Sequence, residues 1–212
     1  LYLETNDKGE SVLIESKGNY LLMDLGSYGN VDAIISYLKV QGITQLDLYF
    51  SHLHLDHCGG GLVGNMVTCG VEKLTGAGIT IRTLYLPDPS LAPESSNYSE
   101  KYRRFREFMN NKNIVYLKPG DRFAVGDADV QIIGPVNTDQ FHPSDYEDKK
   151  PSGDGDEESV KYTYYENNCA LIAKISCGTV SYLSLSDVLE DEVAQLLKEN
   201  KALLKADILK LS

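Results

Sequence analysis

Residues 52–57 hold three of the chain's four histidines and one aspartate: His52, His54, Asp56 and His57. Imidazole and carboxylate groups are the usual protein ligands of zinc and related divalent ions. Two imidazoles one residue apart, just past a strand, can point at the same ion. The next two side chains lie where the chain must turn, so they can face a second ion. A solvated polar turn is the alternative, but crowded histidines repel one another when protonated. The motif therefore predicts a metal site.

The segment before the motif predicts how the ligands are held. Residues 43–50 read Ile-Thr-Gln-Leu-Asp-Leu-Tyr-Phe and follow Gly42. Their β-branched, aromatic and aliphatic side chains are typical of a buried strand. The glycines at 59–61 allow a tight turn behind the ligands. A helix is expected from there to about residue 74.

Strand and helix patterns alternate along the rest of the chain. Further strands are predicted at 11–15, 20–24, 79–86, 114–117, 122–125, 130–133, 170–175, 180–185 and 206–211, and helices at 30–40, 98–111 and 187–199. This interleaving predicts an α/β protein whose helices cover a mixed sheet system.

Residues 137–168 are predicted to form an acidic flexible loop. Its part from 145 to 158 carries seven acids against two lysines. That composition favours a mobile, solvated surface segment. A tyrosine-rich flap over the site is the alternative. The fourth histidine, His142, lies in this loop and is expected to be a surface residue rather than a metal ligand.

The net charge and the hydropathy of the chain argue against nonspecific binding to nucleic acid and against membrane insertion. The formal net charge of −11 disfavours nonspecific contact with nucleic acid or anionic lipid. No apolar run approaches the ~18 residues that a membrane span needs, so this segment is not expected to insert into a membrane. A basic cluster at 101–106 could hold a phosphate group, but such residues are more typical of the solvent-exposed face of an amphipathic helix. Cys58 is expected to be a small buried thiol.

The His-x-His-x-Asp-His run resembles the signature of the metallo-β-lactamase superfamily. The stretches at 9–16 and 20–26 resemble the opening of two groups within it, the hydrolase-like domain of the DNA-uptake competence proteins (ComEC type) and the secreted phosphorylcholine esterases. Further similar stretches follow at 167–172, 183–189 and 206–211. The resemblance spans nearly the whole chain, and the histidine motif is its strongest part.

The resemblance implies a single αββα sandwich domain over residues 1–212 that binds two divalent ions, zinc or manganese. His52 and His54 would hold the first ion, and Asp56 and His57 the second. A bridging carboxylate would come from Asp187, for which the alternative is an N-cap of the helix predicted at 187–199. A supporting carboxylate behind the ligands would come from Asp24, which is otherwise a strand-end turn residue.

The chain departs from these groups at three places. Glu10 and Ser186 stand where an aspartate and a glycine are usual. The chain stops at Ser212, where a final His-His pair is expected, which predicts either a truncated end or an incomplete metal site. No ligand histidine is found between the first motif and Asp187.

The resulting hypothesis is a metal-dependent hydrolase, most simply a phosphodiesterase that acts through a metal-bound hydroxide oriented by Asp56. The expected substrate is a phosphodiester or another small ester, because the net charge disfavours DNA. Three alternatives stay open: a DNA-uptake-related nuclease, a non-catalytic binding module with an incomplete metal site, and a lactamase, thiolesterase or glyoxalase-type hydrolase. Hydrolases of the last type usually carry a middle histidine in a Thr-x-Gly-His-like context, which is not found here. The resemblance also suggests a place outside the cytoplasm, at the cell surface of a Gram-positive bacterium. Oligomeric state is left open.

Overall fold

The computed structural model describes residue 3 and residues 9–61, 66–95, 98–136, 138–149 and 157–211. The chain divides into two compact units, which are described separately. The first contains Leu1–Leu86, Tyr98–Tyr116 and Val125–Asp127, and the second contains Pro87–Asn97, Leu117–Ala124 and Ala128–Ser212. The single domain predicted over residues 1–212 stays a prediction. Among the described residues, no helix is long and apolar enough to cross a bilayer.

A five-stranded mixed sheet organises the first unit. In spatial order its strands are β1 (Val12–Ser16), β2 (Asn19–Met23), β3 (Gln45–Tyr49), β4 (Thr80–Pro87) and β5 (Ile114–Leu117). β1 runs antiparallel to β2, whereas β2, β3 and β4 run parallel. The helices are α1 (Val31–Val40), α2 (Leu55–Cys58), α3 (Cys69–Gly76) and α4 (Tyr98–Phe108). The strand predicted at 43–50 is therefore present as β3.

The parallel pairing of β2 and β3 brings their carboxyl ends to one edge of the sheet. The amide of Asp24, just after β2, donates to the carbonyl of Tyr49 at the end of β3 at 2.9 Å. Leu46, Leu48 and Phe50 are completely buried, so the strand that leads to the histidines is anchored in the core. Burial of such side chains contributes about 1.5–3 kcal/mol each.

The helix expected from the motif to about residue 74 is instead two helices, and the prediction was wrong there. α2 ends after one turn because Gly59 adopts a left-handed conformation (φ +67°). The chain turns back at Gly59, whose amide donates to the Gly26 carbonyl at 2.9 Å. The Leu25 amide donates in turn to the His57 carbonyl at 2.6 Å. α2 is thus bonded directly to the loop that follows β2.

Gly70 allows α3 to pack against the end of α2. A β-carbon at Gly70 would lie 2.9 Å from the α-carbon of Gly59 and 3.0 Å from the carbonyl oxygen of Cys58. Both are backbone atoms, which cannot move aside without shifting α2.

We expect Gly70→Ala to destabilise the fold by about 1–3 kcal/mol, because it overpacks a backbone contact. Gly76→Ala, in the same helix, is the matched control, since nothing lies within 4 Å of its added β-carbon. The control should be neutral or slightly stabilising, because alanine is the better helix former. Urea denaturation of both variants measures the difference, and equal stabilities would contradict the close-packing argument.

The second unit is organised by another five-stranded mixed sheet. In spatial order its strands are β10 (Ile208–Lys210), β9 (Val180–Ser184), β8 (Ile172–Cys177), β7 (Ala128–Gly134) and β6 (Arg122–Val125). β7, β8 and β9 are antiparallel neighbours, and β10 runs parallel to β9. The helices are α5 (Glu157–Asn168) and α6 (Glu190–Glu199), with short 3₁₀ turns at Pro89–Leu91, Thr138–Gln140, Pro143–Tyr146 and Lys201–Leu204.

The segment predicted as an acidic loop contains regular structure at both ends. Two of the 3₁₀ turns and α5 lie within 137–168, whereas residues 137 and 150–156 lie outside the described part of the chain. The polar composition gave no sign that part of α5 is buried: Tyr165 and Asn168, three residues apart, and Cys169, directly after the helix, are almost inaccessible to solvent. The flexibility predicted for this segment stays a prediction.

A buried acid connects α6 to the end of β7. Glu192 is fully buried, and its Oε1 accepts a hydrogen bond from the Val136 amide at 2.7 Å. Its Oε2 is buried without a hydrogen-bond partner among the described residues. Burial raises the pKa of Glu192 to about 8, which the Val136 amide lowers only in part, so the side chain is largely a neutral acid at pH 7.

Glu192 should make the fold less stable as the pH rises. The folded state keeps this proton up to about pH 8, whereas the unfolded chain releases it near the ordinary pKa of 4.5. Between these values the folded state binds more protons, so the free energy of unfolding falls with rising pH. Relative to Glu192→Gln, the wild-type Tm should fall between about pH 5 and about pH 8. The exposed Glu190→Gln is the control; the same pH trend in both comparisons would exclude the buried acid as the cause.

Candidate metal centre

The first two motif histidines converge directly after β3. His52 is fully buried, and its Nε2 lies 2.9 Å from Nδ1 of the partly buried His54. The two rings meet edge to face, with centroids 4.4 Å apart. Two nitrogens that are each about 2.0–2.1 Å from a zinc ion lie roughly 3 Å apart, so this pair has the spacing of two ligands of one ion.

Asp24 and Ser51 fix the protonation pattern of His52. The two carboxylate oxygens of Asp24 accept bonds from the Ser51 amide at 2.9 Å and the Ser51 hydroxyl at 2.7 Å. Because that hydroxyl hydrogen is already used, the contact of 3.1 Å between Ser51 Oγ and His52 Nδ1 requires the imidazole to donate. The lone pair of His52 is therefore on Nε2, the atom that faces His54.

His57 is oriented by the same carboxylate. Its ring is buried, and Nδ1 lies 3.0 Å from Asp24 Oδ2 and 3.8 Å from Glu10 Oε1. A carboxylate can only accept, so Nδ1 carries the hydrogen and the lone pair of His57 is on Nε2. The ring centroids of His52 and His57 are 4.1 Å apart. The structure thus brings His52, His54, His57 and Asp24 together, and their roles at a metal ion stay a prediction.

Asp56 and Cys58 flank His57 in the single turn of α2. Asp56 is partly buried, and its backbone oxygen lies where a β-carbon on Gly9 would clash at 2.7 Å. The Cys58 thiol is fully buried, donates to the His54 carbonyl at 3.1 Å, and has a pKa raised by burial to about 12. A thiol that stays protonated is a poor metal ligand, which agrees with the structural role predicted for Cys58.

The predicted bridging residue, Asp187, lies in the second unit just after β9. Its side chain is partly exposed, and the Lys210 ammonium lies 3.7 Å from its Oδ1. The competing N-cap interpretation was wrong, because α6 begins at Glu190 and its N-cap is Leu189. Ser186 adopts φ +52°, the left-handed conformation that glycine tolerates best. The bridging role of Asp187 stays a prediction.

His142 is a surface residue, as expected. It is half exposed and its Nδ1 lies 2.6 Å from Glu94 Oε1, a hydrogen bond that raises the pKa of His142 above its ordinary value. His142 is therefore paired with a carboxylate of the second unit, that of Glu94. It provides a histidine control for metal-binding experiments.

Two further residues of the centre were not assigned a role from the sequence. Ser51 links Asp24 to His52, and Glu10 places a second carboxylate beside His57. The signal for Ser51 was its position directly before the first histidine. The signal for Glu10 was its place in the turn before β1. Within the first unit, Glu10, Asp24 and His57 bring ligand-type atoms within 4.8 Å of one another.

The donor set fits a divalent ion of the zinc type. Neutral imidazoles with their lone pairs directed away from supporting carboxylates are the form in which histidine binds metals. Hydrogen bonds to Asp24 and Ser51 impose that form on His52 and His57. The chemistry available to such a centre is the activation of water and the stabilisation of negative charge.

Comparison with known proteins identifies the fold. No protein-family model matches the chain, and no curated protein matches it. A metallo-β-lactamase with a HARLDQ motif from Cronobacter sakazakii is 12% identical over 99% of this chain and 75% of that chain, with a TM-score of 0.54. The class B3 di-zinc metallo-β-lactamase LRA-12 from an Alaskan soil metagenome is 15% identical over 99% of this chain and 73% of that chain, also with a TM-score of 0.54.

This chain is shorter than the enzymes that it resembles. It spans 57% of the length of the Rm3 metallo-β-lactamase, to which it is 13% identical over 86% of its own length with a TM-score of 0.49. The Cronobacter sakazakii and LRA-12 enzymes are only 12% and 15% identical to this chain, so the likeness to them concerns the fold alone. The predicted fold class is confirmed, since two mixed sheets with helices form a metallo-β-lactamase-like fold. Kinship with the competence proteins or the phosphorylcholine esterases stays a prediction.

We expect Asp24→Asn to weaken zinc binding by about 10- to 100-fold, the usual cost of losing a residue that orients a metal-binding histidine. An amide in place of Oδ2 would donate to His57 Nδ1 and move the imidazole hydrogen to Nε2. Isothermal titration with zinc measures the affinity. Asp47→Asn is the matched control: it is also buried, but it pairs with Arg82 at 2.7 Å. Equal affinities in the two variants would refute the orienting role.

Proposed function

We propose that this chain is a metal-dependent hydrolase and that its substrate is a phosphodiester. The observation that carries the proposal is the set of contacts at the Nδ1 atoms of two buried histidines, from which we infer their protonation pattern. Asp24 and Ser51 receive the Nδ1 hydrogens of His57 and His52, which leaves Nε2 of both rings as electron-pair donors. A merely structural cluster has no need of two buried imidazoles held in this tautomer.

The proposed cofactor is a pair of divalent ions, zinc or manganese. His52 and His54 would hold one, Asp56 and His57 the other, and Asp187 would bridge them, as the sequence resemblance implies. When bound, such ions lower the pKa of water and stabilise negative charge on an oxyanion. The LRA-12 enzyme, which has a similar fold, is a di-zinc protein by its name.

The chain's own residues would position the reactants. Asp24 and Ser51 hold the imidazoles rigidly, so that little reorganisation accompanies binding. The carboxylate of Asp56, in the turn that carries His57, would orient the attacking water. Burial of His52 and His57 keeps bulk water from competing for their ring nitrogens.

The charge distribution favours a small substrate over DNA. The chain has a net charge of −11. The basic residues of α4 do not offset it, because Arg103 pairs with Glu100 and Glu107 and Arg104 also pairs with Glu100. The hydrogen bond from Arg103 has the largest effect on Glu100, and together with that from Arg104 it lowers the pKa of Glu100 to about 2, so the acid stays ionised. A long polyanion would meet few uncompensated cations there, whereas a small phosphodiester needs none.

The test is hydrolysis of bis(p-nitrophenyl) phosphate with zinc or manganese, in parallel with plasmid DNA and the β-lactam nitrocefin. We expect about two ions per chain and turnover of the small diester. Chelation by EDTA and His54→Ala should each reduce turnover to the buffer rate. His142→Ala, which removes the surface histidine, should keep both metal content and rate.

Three other results would each favour a different function. Cleavage of DNA in preference to the small diester would favour the nuclease. Turnover of nitrocefin alone would favour the activity that the structurally similar lactamases have by name. Wild-type protein without metal, even after reconstitution, would refute the hydrolase and favour a binding module.

A further inference from the structure

Lys210 has an environment opposite to the one its residue type predicts. It lies on β10 between residues that are largely solvent-exposed, Leu209 at 53% and Leu211 at 63%, yet it is itself only 8% exposed. Lysine is among the residues least often buried, because removing an ammonium from water is costly unless acceptors surround it. A lysine buried on a strand whose apolar neighbours face solvent therefore requires a specific reason.

The acceptors around Lys210 belong to the turn at residues 185–188, which leads from β9 to α6. Its Nζ donates to the Ser186 carbonyl at 2.8 Å and lies 3.7 Å from Asp187 Oδ1. Its own carbonyl accepts from the Leu185 amide at 3.1 Å. Lys210 thus holds three successive residues of the turn, one through its backbone and two through its ammonium.

The turn needs such support because its conformation is unfavourable for its sequence. Ser186 has φ +52°, a left-handed conformation that is unfavourable for a residue with a β-carbon. Ser186 is also completely buried, so its carbonyl cannot bond to water instead. The Lys210 ammonium gives this strained, buried residue a charge-assisted hydrogen bond, and the loss of that bond would favour relaxation of the turn.

We propose that Lys210 is a positioning residue, whose ammonium holds the turn at residues 185–188 in its left-handed form and thereby presents the Asp187 carboxylate as a metal ligand. This inference rests on the proposed function, because the ligand role of Asp187 comes from it. The ammonium bonds to the backbone next to Asp187 and attracts one oxygen of its carboxylate across 3.7 Å, so it favours one placement of that group. Lys210 itself contacts no metal in this proposal.

The test compares Lys210→Met with Lys174→Met. Lys174 is the matched control, since its Nζ also donates to two backbone carbonyls of the second unit, those of Leu203 and Lys205, at 3.0 and 2.7 Å. Cobalt(II) affinity, followed by its d–d absorption, should fall about 10- to 100-fold in Lys210→Met and stay at the wild-type value in Lys174→Met. Circular dichroism confirms that both variants are folded.

A second variant separates the positioning role from a general loss of stability. Glycine adopts positive φ without strain, so adding Ser186→Gly to Lys210→Met should restore much of the cobalt affinity. Backbone chemical shifts of residue 186 in the metal-free protein report directly whether the left-handed conformation persists. We expect them to change in Lys210→Met and to keep the wild-type pattern in Lys174→Met.

The outcomes distinguish this inference from the proposed function. Wild-type shifts and wild-type affinity in Lys210→Met would overturn the role of Lys210 and leave the hydrolase intact. A changed turn with no rescue by Ser186→Gly would also overturn it, because strain would then not be what the ammonium offsets. Wild-type protein that binds no cobalt would refute the metal centre, and with it the presentation of Asp187 as a ligand.

Discussion

The candidate centre depends on one buried carboxylate that accepts three hydrogen bonds. Asp24 is almost inaccessible to solvent, and it accepts bonds from the Ser51 amide, the Ser51 hydroxyl and His57 Nδ1. An ionised carboxylate in such a place is costly unless its lone pairs are satisfied. Because each donor is satisfied in only one orientation, the electrostatic requirement of the acid becomes a geometric requirement on the imidazoles. The ligands are thereby ordered by the protein before any ion binds.

Close contacts between backbone segments provide the frame for that carboxylate. A β-carbon at Gly9 would lie 2.5 Å from the α-carbon of Gly26, and one at Gly70 would lie 2.9 Å from that of Gly59. The loop after β2 is thus pressed against the segment before β1, and the end of α2 against α3, without intervening side chains. Backbone packing of this kind leaves little freedom, because peptide groups cannot change rotamer to relieve a clash. The precision of the ligands therefore originates in glycines that have no chemistry of their own.

Sequence patterns were sufficient where a local rule and the tertiary structure agreed. The strand at 43–50 was predictable because a run of buried apolar residues leads into the histidine motif, and its structure matches within two residues at the start and one at the end. The helix beyond the motif was not, since only the structure shows that Gly59 ends α2 in a left-handed turn. α5 was missed because its buried side chains are a tyrosine, a glutamate and an asparagine, and a search for hydrophobic periodicity does not detect such residues.

Polar residues of the second unit show most clearly why sequence alone could not place the rest. Asn168 accepts from the Leu189 amide at the start of α6, Glu192 accepts from the Val136 amide, and Lys210 donates to the Ser186 carbonyl. In the sequence each of these is an ordinary surface residue type. In the fold each is buried because it satisfies a backbone group at a bend, where no strand or helix neighbour can do so. Since backbone groups at bends must be paired and apolar side chains cannot pair them, a unit with this many turns has to bury some of its polar residues. Two of these three bonds, from the Leu189 amide to Asn168 and from Lys210 to the Ser186 carbonyl, lie at the two ends of the segment that carries Asp187. The same hydrogen bonds therefore stabilise that segment and restrict where its carboxylate can lie.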